Sequence, residues 1–359
     1  MSTRQALATT TAVLVCWAAV HAQSSVAELN EAGWKNLRAG NVIRAAANFR
    51  EALELAPDDP VILFGAGAVA HAQGRQTEAL AWLERALDLK PSLTPASILL
   101  GKIAYDEGNA DLAIKTYEKA LTYQPGNATL TKQLDAWKRD SSTHAAFSDR
   151  RYERFRVMFE GRANETLAST ASRTLSSAFY RIGSTLGEYP PNTIVAVLYT
   201  ERQFRDVTHA PVWSGGQYDG RIRIPVAGAE QDEQRFEQVL VHELSHAVVA
   251  GIAARGVPHW LNEGLAQYFD GTSADGARRR MKALGQSIPL KMLEGGFGGM
   301  NSGTARVAYD ESLLAVSVMA DRPGFGWIRL LHRLGDGEPF ERAITNFGFS
   351  YQDLEAGFK

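Results

Sequence analysis

The sequence predicts an all-α solenoid followed by an α+β domain. Two observations carry this reading: a 34-residue period across residues 27–139, and a change to strand-like and then helical patterning from about residue 150. At 359 residues and 45% hydrophobic content the chain is long enough to bury two separate cores. A formal net charge of -2 gives no electrostatic case for nucleic acid or an anionic membrane surface as a partner.

Residues 1–22 belong to neither part. Arg4 followed by the apolar "ALATTTAVLVCWAAV" and the small-residue site Val20-His21-Ala22 reads as a secretory signal peptide. The apolar run is shorter than the roughly 20 residues a spanning helix needs, so no stable membrane span is expected after cleavage. Cys16, the one cysteine, lies in that segment. The mature chain would then hold no disulfide, no cysteine nucleophile and no cysteine metal site. Export without disulfides suggests a bacterial envelope protein, periplasmic or secreted.

In the first domain Gly40, Gly74 and Gly108 stand 34 apart, as do Ala45, Ala79 and Ala113, then Ala52, Ala86 and Ala120, then Pro57, Pro91 and Pro125. Phe49, Leu83 and Tyr117 keep the same step. Small residues where helices cross, a glycine between them and a proline after the second suit a stack of helical hairpins. The segments "NVIRAAANFREALELAPDD", "RQTEALAWLERALDLKPSL" and "ADLAIKTYEKALTYQPGN" resemble tetratricopeptide (TPR) repeats. The expectation is three TPR repeats over 27–139, with Trp137 on a helix capping the third. Their concave face would take a protein partner or the substrate; a spacer role is the rival. The polar stretch "DSSTHAAFSD", residues 140–149, reads as a linker.

From 150 to 359, "RYERFRVMFEG" is expected as a strand entering a turn at Gly161 and residues 163–186 as an amphipathic helix. "PPNTIVAVLYT" is a strand, and "GGQYDGRIRIPV" another that Pro225 assigns to a sheet edge. Residues 231–254 form a helix, a second starts near Trp260, and the remainder is mostly helical beyond the glycine-rich "EGGFGGMNSG". Strands first and helices after make an α+β domain.

The chemistry concentrates in "VHELSHAVVAGIAARGVPHWLNEGLAQYF", residues 241–269. His242 and His246, four apart, leave one helix face a turn apart and suit one zinc ion, with Glu243 placed to act on its water as general base. The flanking apolar residues bury this helix, a costly place for polar groups that coordinate nothing. A catalytic zinc takes three protein ligands and an open position, and Glu263 on the next helix supplies the third. Asn262 is expected to cap or orient that helix, and His259 to be structural.

These motifs resemble those of gluzincin zinc metallopeptidases, in particular the peptidase-MA-like group of secreted domains often joined to TPR repeats. The resemblance covers about residues 150–359. It implies a gluzincin-like (thermolysin-like) metallopeptidase fold, Zn2+ held by His242, His246 and Glu263, Glu243 as catalytic base, and a peptide or protein substrate. It implies Tyr309 as a candidate oxyanion donor, with His332 a weaker one, and the strand 220–226 as a seat for extended peptide. Many gluzincins carry an acidic residue four positions after the ligand glutamate. Here Gln267 stands there, leaving Asp270 to substitute. No G-x-M-E-N motif occurs, so the resemblance does not extend to aminopeptidase activity. The rival reading is a TPR scaffold with a weak or structural zinc site; a hydrolase of non-peptide amides is a third.

Overall fold

The computed structural model describes residues 25–161, 164–209 and 215–357. The expected signal peptide, residues 1–22, lies outside them. No described helix is long and apolar enough to cross a membrane. One compact unit ends at Lys138 and a second begins at Arg139.

The first unit is a run of helices: α1 (residues 25–38), α2 (Val42–Leu55), α3 (Pro60–Ala72), α4 (Gln76–Leu89), α5 (Thr94–Asp106), α6 (Ala110–Tyr123) and α7 (Ala128–Thr143). The periodic glycines Gly40, Gly74 and Gly108 turn each hairpin with φ of 74°, 72° and 82°, a left-handed conformation that favours glycine. The periodic alanines are buried, and so are Phe49, Leu83 and Tyr117. A second glycine series, Gly33, Gly67 and Gly101, receives those bulky side chains. A Cβ at these positions would lie 2.7 Å from the Phe49 ring, 2.8 Å from Leu83 and 2.4 Å from the Tyr117 ring. Trp137 on α7 closes the array by stacking on Tyr105, centroids 4.7 Å apart, and on Tyr117 at 4.4 Å.

The second unit is built on a five-stranded mixed sheet in the order β1-β2-β3-β5-β4. Strands β1 (Phe147–Tyr152) and β2 (Phe155–Glu160) form an antiparallel hairpin turning at Glu153, where one strand was expected. The helix α8 (Glu165–Leu186) returns the chain to β3 (Ile194–Tyr199), parallel to β2. β3 reads as unbroken apolar sequence because both of its faces are covered. Ala196 and Leu198 face the main core, while Val195, Val197 and Tyr199 pack with Phe204 of α9 (Glu201–Thr208). β5 (Ile222–Pro225) lies parallel to β3, and the short β4 (Gln217–Tyr218) pairs antiparallel to it. The expected edge strand is therefore two strands. β4 holds the edge, and Pro225 is tolerated because β4 pairs only as far as Arg223.

Helices α10 (Glu233–Ile252), α11 (His259–Asp270), α12 (Ala274–Leu284), α13 (Ser302–Ala320), α14 (Trp327–Gly335), α15 (Phe340–Thr345) and α16 (Tyr351–Ala356) complete the unit. The stretch 140–149 is not a linker. It comprises the end of α7, a short 3-10 turn and the start of β1. Polar groups hold it rather than apolar ones, which is why its composition reads as solvated. Asp140, 2% exposed, meets Arg223 Nη1 at 2.7 Å, Arg221 Nη1 at 3.2 Å and the Tyr199 hydroxyl at 3.0 Å.

Candidate metal centre

Asp232 caps α10 by accepting from the Arg235 amide at 2.9 Å. Phe236, Leu240, Leu244 and Val248, spaced by four, bury one stripe of the helix. His242 and His246 leave the adjacent stripe with ring centroids 5.0 Å apart. α10 ends at Ile252, the chain reverses through Gly256, and Pro258 opens α11. On α11, Trp260, Leu261, Leu265 and Phe269 are buried. Gly264 brings the helix so close to α13 that a Cβ would stand 2.3 Å from the Ser312 carbonyl oxygen. This packing sets Glu263 against α10.

One donor atom from each of His242, His246 and Glu263 lies within 4.8 Å of the other two. Glu263 Oε2 is 3.5 Å from His242 Nε2 and 3.7 Å from His246 Nε2. For ligand bonds of about 2.1 Å, tetrahedral ligands stand about 3.4 Å apart. The donor set, two imidazoles and a carboxylate, suits zinc on the same grounds.

Asp270 Oδ2 meets His242 Nδ1 at 2.8 Å, turning Nε2 toward Glu263. Asp270 itself accepts from the Thr272 amide at 2.8 Å. Gln267, four positions after Glu263, points elsewhere and donates to the Tyr309 carbonyl at 2.9 Å. Asn262 does not cap α11, which begins three residues earlier at His259. It lies close enough to the His246 ring to favour the ring's charged form, though neither His246 Nδ1 nor Asn262 Oδ1 completes a hydrogen bond. His259, expected to be structural, places Nε2 3.6 Å from the other Glu263 oxygen, with its ring edge-on to Phe297 of the glycine-rich loop. The i, i+4 spacing from His259 to Glu263 was the available signal for this contact.

Glu243 is 6% exposed and lines, with His242, Gly216 and Tyr309, a cavity of about 210 Å³. His332 is elsewhere, on α14, bonded to Glu188 at 2.8 Å. Burial opposes charge on all these groups, and neighbours decide the outcome. For Glu243 burial and the Glu263 and Asp219 carboxylates outweigh His242 and push it up to about 7. For Glu263 burial is overcome by His246 and His242, which hold it down at about 2. Burial likewise disfavours a charged His242, but Asp270 and Glu263 carry it to about 10, while burial lowers His246. Burial and the two glutamates raise the Tyr309 phenol.

A sequence profile of the peptidase MA superfamily matches residues 174–359, just over half of the chain. The chain belongs to the peptidase MA superfamily. Tetratricopeptide-repeat profiles match residues 31–93 and 94–127, ahead of the peptidase MA region. Among solved structures, the first TPR of Spaghetti (RPAP3) bound to HSP90 peptide SRMEEVD matches at 21% identity, covering 33% of this chain and 97% of that one, with a TM-score of 0.32. No curated protein matches.

Proposed function

We propose that the peptidase MA region is a zinc-dependent peptidase of the gluzincin, thermolysin-like type. The observation carrying this reading is the convergence of His242, His246 and Glu263, with His242 and Glu243 together lining one cavity. His242, His246 and Glu263 would hold the ion. Zinc held there supplies Lewis acidity and a water acidic enough to ionise near neutral pH.

Glu243, raised to about 7, takes a proton from the attacking water on its carboxylate and passes it to the leaving nitrogen. Tyr309, kept protonated by its raised pKa, donates its hydroxyl to the oxygen that gains charge. Asp270 holds the His242 ring, which supports a working site over a structural remnant on a scaffold. Among the described residues β4 is the edge of the sheet, and an extended peptide would pair with its backbone near Glu243. The TPR array presents the substrate or a protein partner, and the leader exports the chain to the periplasm or beyond.

The test is a peptide library incubated with purified full-length protein. The reading expects cleavage that a chelator abolishes and zinc restores, and that Glu243→Gln loses. Cleavage unaffected by chelator and by Glu243→Gln would contradict it.

A further inference from the structure

We infer that Arg235 selects substrates bearing a carboxylate close to the bond that is cut. The inference rests on the peptidase reading for its place in a reaction, but its binding chemistry stands apart from it. Arg235, Val239, His242 and Glu243 fall at i, i+4, i+7 and i+8 on α10, one stripe of the helix. All four line the 210 Å³ cavity, so the guanidinium stands at its wall alongside the reacting groups.

The charge of Arg235 is unspent. Its side chain donates to the neutral Gln238 Oε1 at 2.9 Å, and it forms no ion pair among the described residues. Glu243 on the same wall is the proposed base, and three further acids are engaged. Asp270 holds His242, Asp232 caps the helix, and Glu237 accepts from Thr174 at 2.9 Å.

A neighbouring pocket of about 510 Å³ shares Gln238 and Asp270 as walls. It adds Arg173 and Arg181, which donate to the Thr170 hydroxyl at 3.3 Å and the Phe269 carbonyl at 3.0 Å. Neither forms an ion pair among the described residues. Three arginines thus line these two adjoining pockets. A guanidinium keeps its charge at every working pH and takes a carboxylate through two parallel N–H donors. A substrate carboxylate supplies the ion pair that no acid among the described residues supplies here, and a substrate lysine at the same place is repelled.

The test uses the full-length, zinc-loaded Glu243→Gln variant, which holds peptides without the catalytic base. Three fluorescent peptides are titrated: one with internal Glu and an amidated end, its Gln isostere, and the Gln isostere with a free C-terminal carboxylate. One of the carboxylate peptides is expected to bind about tenfold tighter than the amidated Gln peptide. Which one does so tells whether a side chain or a chain end is read. Added Arg235→Ala abolishes the preference, Arg235→Lys restores it in part, and Arg235→Glu transfers it to a lysyl peptide. The preference shrinks between about 0.05 and 0.5 M salt. Equal binding of all three peptides, or a preference that survives Arg235→Ala, overturns the inference.

In the base-competent protein Arg235→Ala raises KM for the acidic peptide and leaves kcat nearly unchanged. If carboxylate selection holds but nothing is cut, the peptidase reading fails and the Arg235 site stands. If peptides are cut without regard to charge, the reverse is true.

Discussion

Glu243 and Glu263 are both buried carboxylates one helix apart, yet their surroundings push them in opposite directions, to about 7 and about 2. The proposed function draws on that difference: Glu243 would exchange a proton near neutral pH, and Glu263 would stay ionised as a metal ligand needs. Glu243→Gln is expected to retain zinc and lose about 10²- to 10⁴-fold in hydrolysis rate, read by steady-state kinetics. Asp270→Asn, which keeps the shape and removes the charge behind His242, is expected to weaken zinc binding about 10- to 100-fold, measured by competition with a chelating dye. His242, raised to about 10 in the metal-free chain, carries a proton at pH 7 that zinc must displace. Apparent zinc affinity is therefore expected to climb as pH rises from 6 to 8, by roughly tenfold per unit for the one proton released. A flat profile would show His242 already neutral. The grouping of His242, Glu243 and His246 was legible in the sequence because helical spacing fixes it locally, whereas Glu263 was read from the next helix as the third ligand. Asp270 was legible as the substitute because it lies seven residues after Glu263 on the same helix; that Gln267 turns to the Tyr309 carbonyl was not, since it depends on the packing of α13.

At the scale of elements, the site exists because α11 can approach α13 at Gly264. Gly264→Ala forces a Cβ toward the Ser312 carbonyl at 2.3 Å, so α11 must shift and carry Glu263 with it. The expected result is a loss of about 1–3 kcal/mol in urea unfolding together with a larger loss of zinc affinity. Stability and metal binding both at wild-type level would contradict the packing argument. In the repeats, the glycines of the turns were legible from their period. The second series was passed over, although Gly33, Gly67 and Gly101 keep the same 34-residue step. Its role depends on Phe49, Leu83 and Tyr117 arriving from the other helix of each hairpin, a partner sixteen residues away that periodicity alone does not name. The division of "GGQYDGRIRIPV" into β4 and β5 escaped for a related reason. Gly220, at φ 101°, reverses the chain inside what reads as one strand.

At the scale of the molecule, the second unit is held by an apolar core on one face of its sheet and by a buried charge network around Asp140. Asp140→Asn removes the buried carboxylate that Arg221 and Arg223 share, while Arg223 keeps Asp219 at 3.0 Å, and is expected to cost about 3–5 kcal/mol, read from urea melts. The network also predicts acid sensitivity. Burial, with Arg221 and Arg223, lowers His144 from 6.5 to about 4, so the unfolded chain binds that proton first and stability falls as pH drops through this window. Arg223 and His144 outweigh burial to hold Asp140 at about 2 rather than 3.8, so its contribution is full above 3.8 and lost toward 2. His144→Phe should flatten the first window in melts taken between pH 4 and 7. The fold class was legible from the order of strands and helices, whereas this network was not, because Asp140, Tyr199 and Arg223 lie 24 to 83 residues apart. The most direct test of the central claim is the metal content of the purified chain by elemental analysis. The account predicts one zinc per chain, retained in Glu243→Gln and lost in His246→Ala and Glu263→Ala; zinc that survives both ligand substitutions, or a wild-type chain that takes up none, would contradict it.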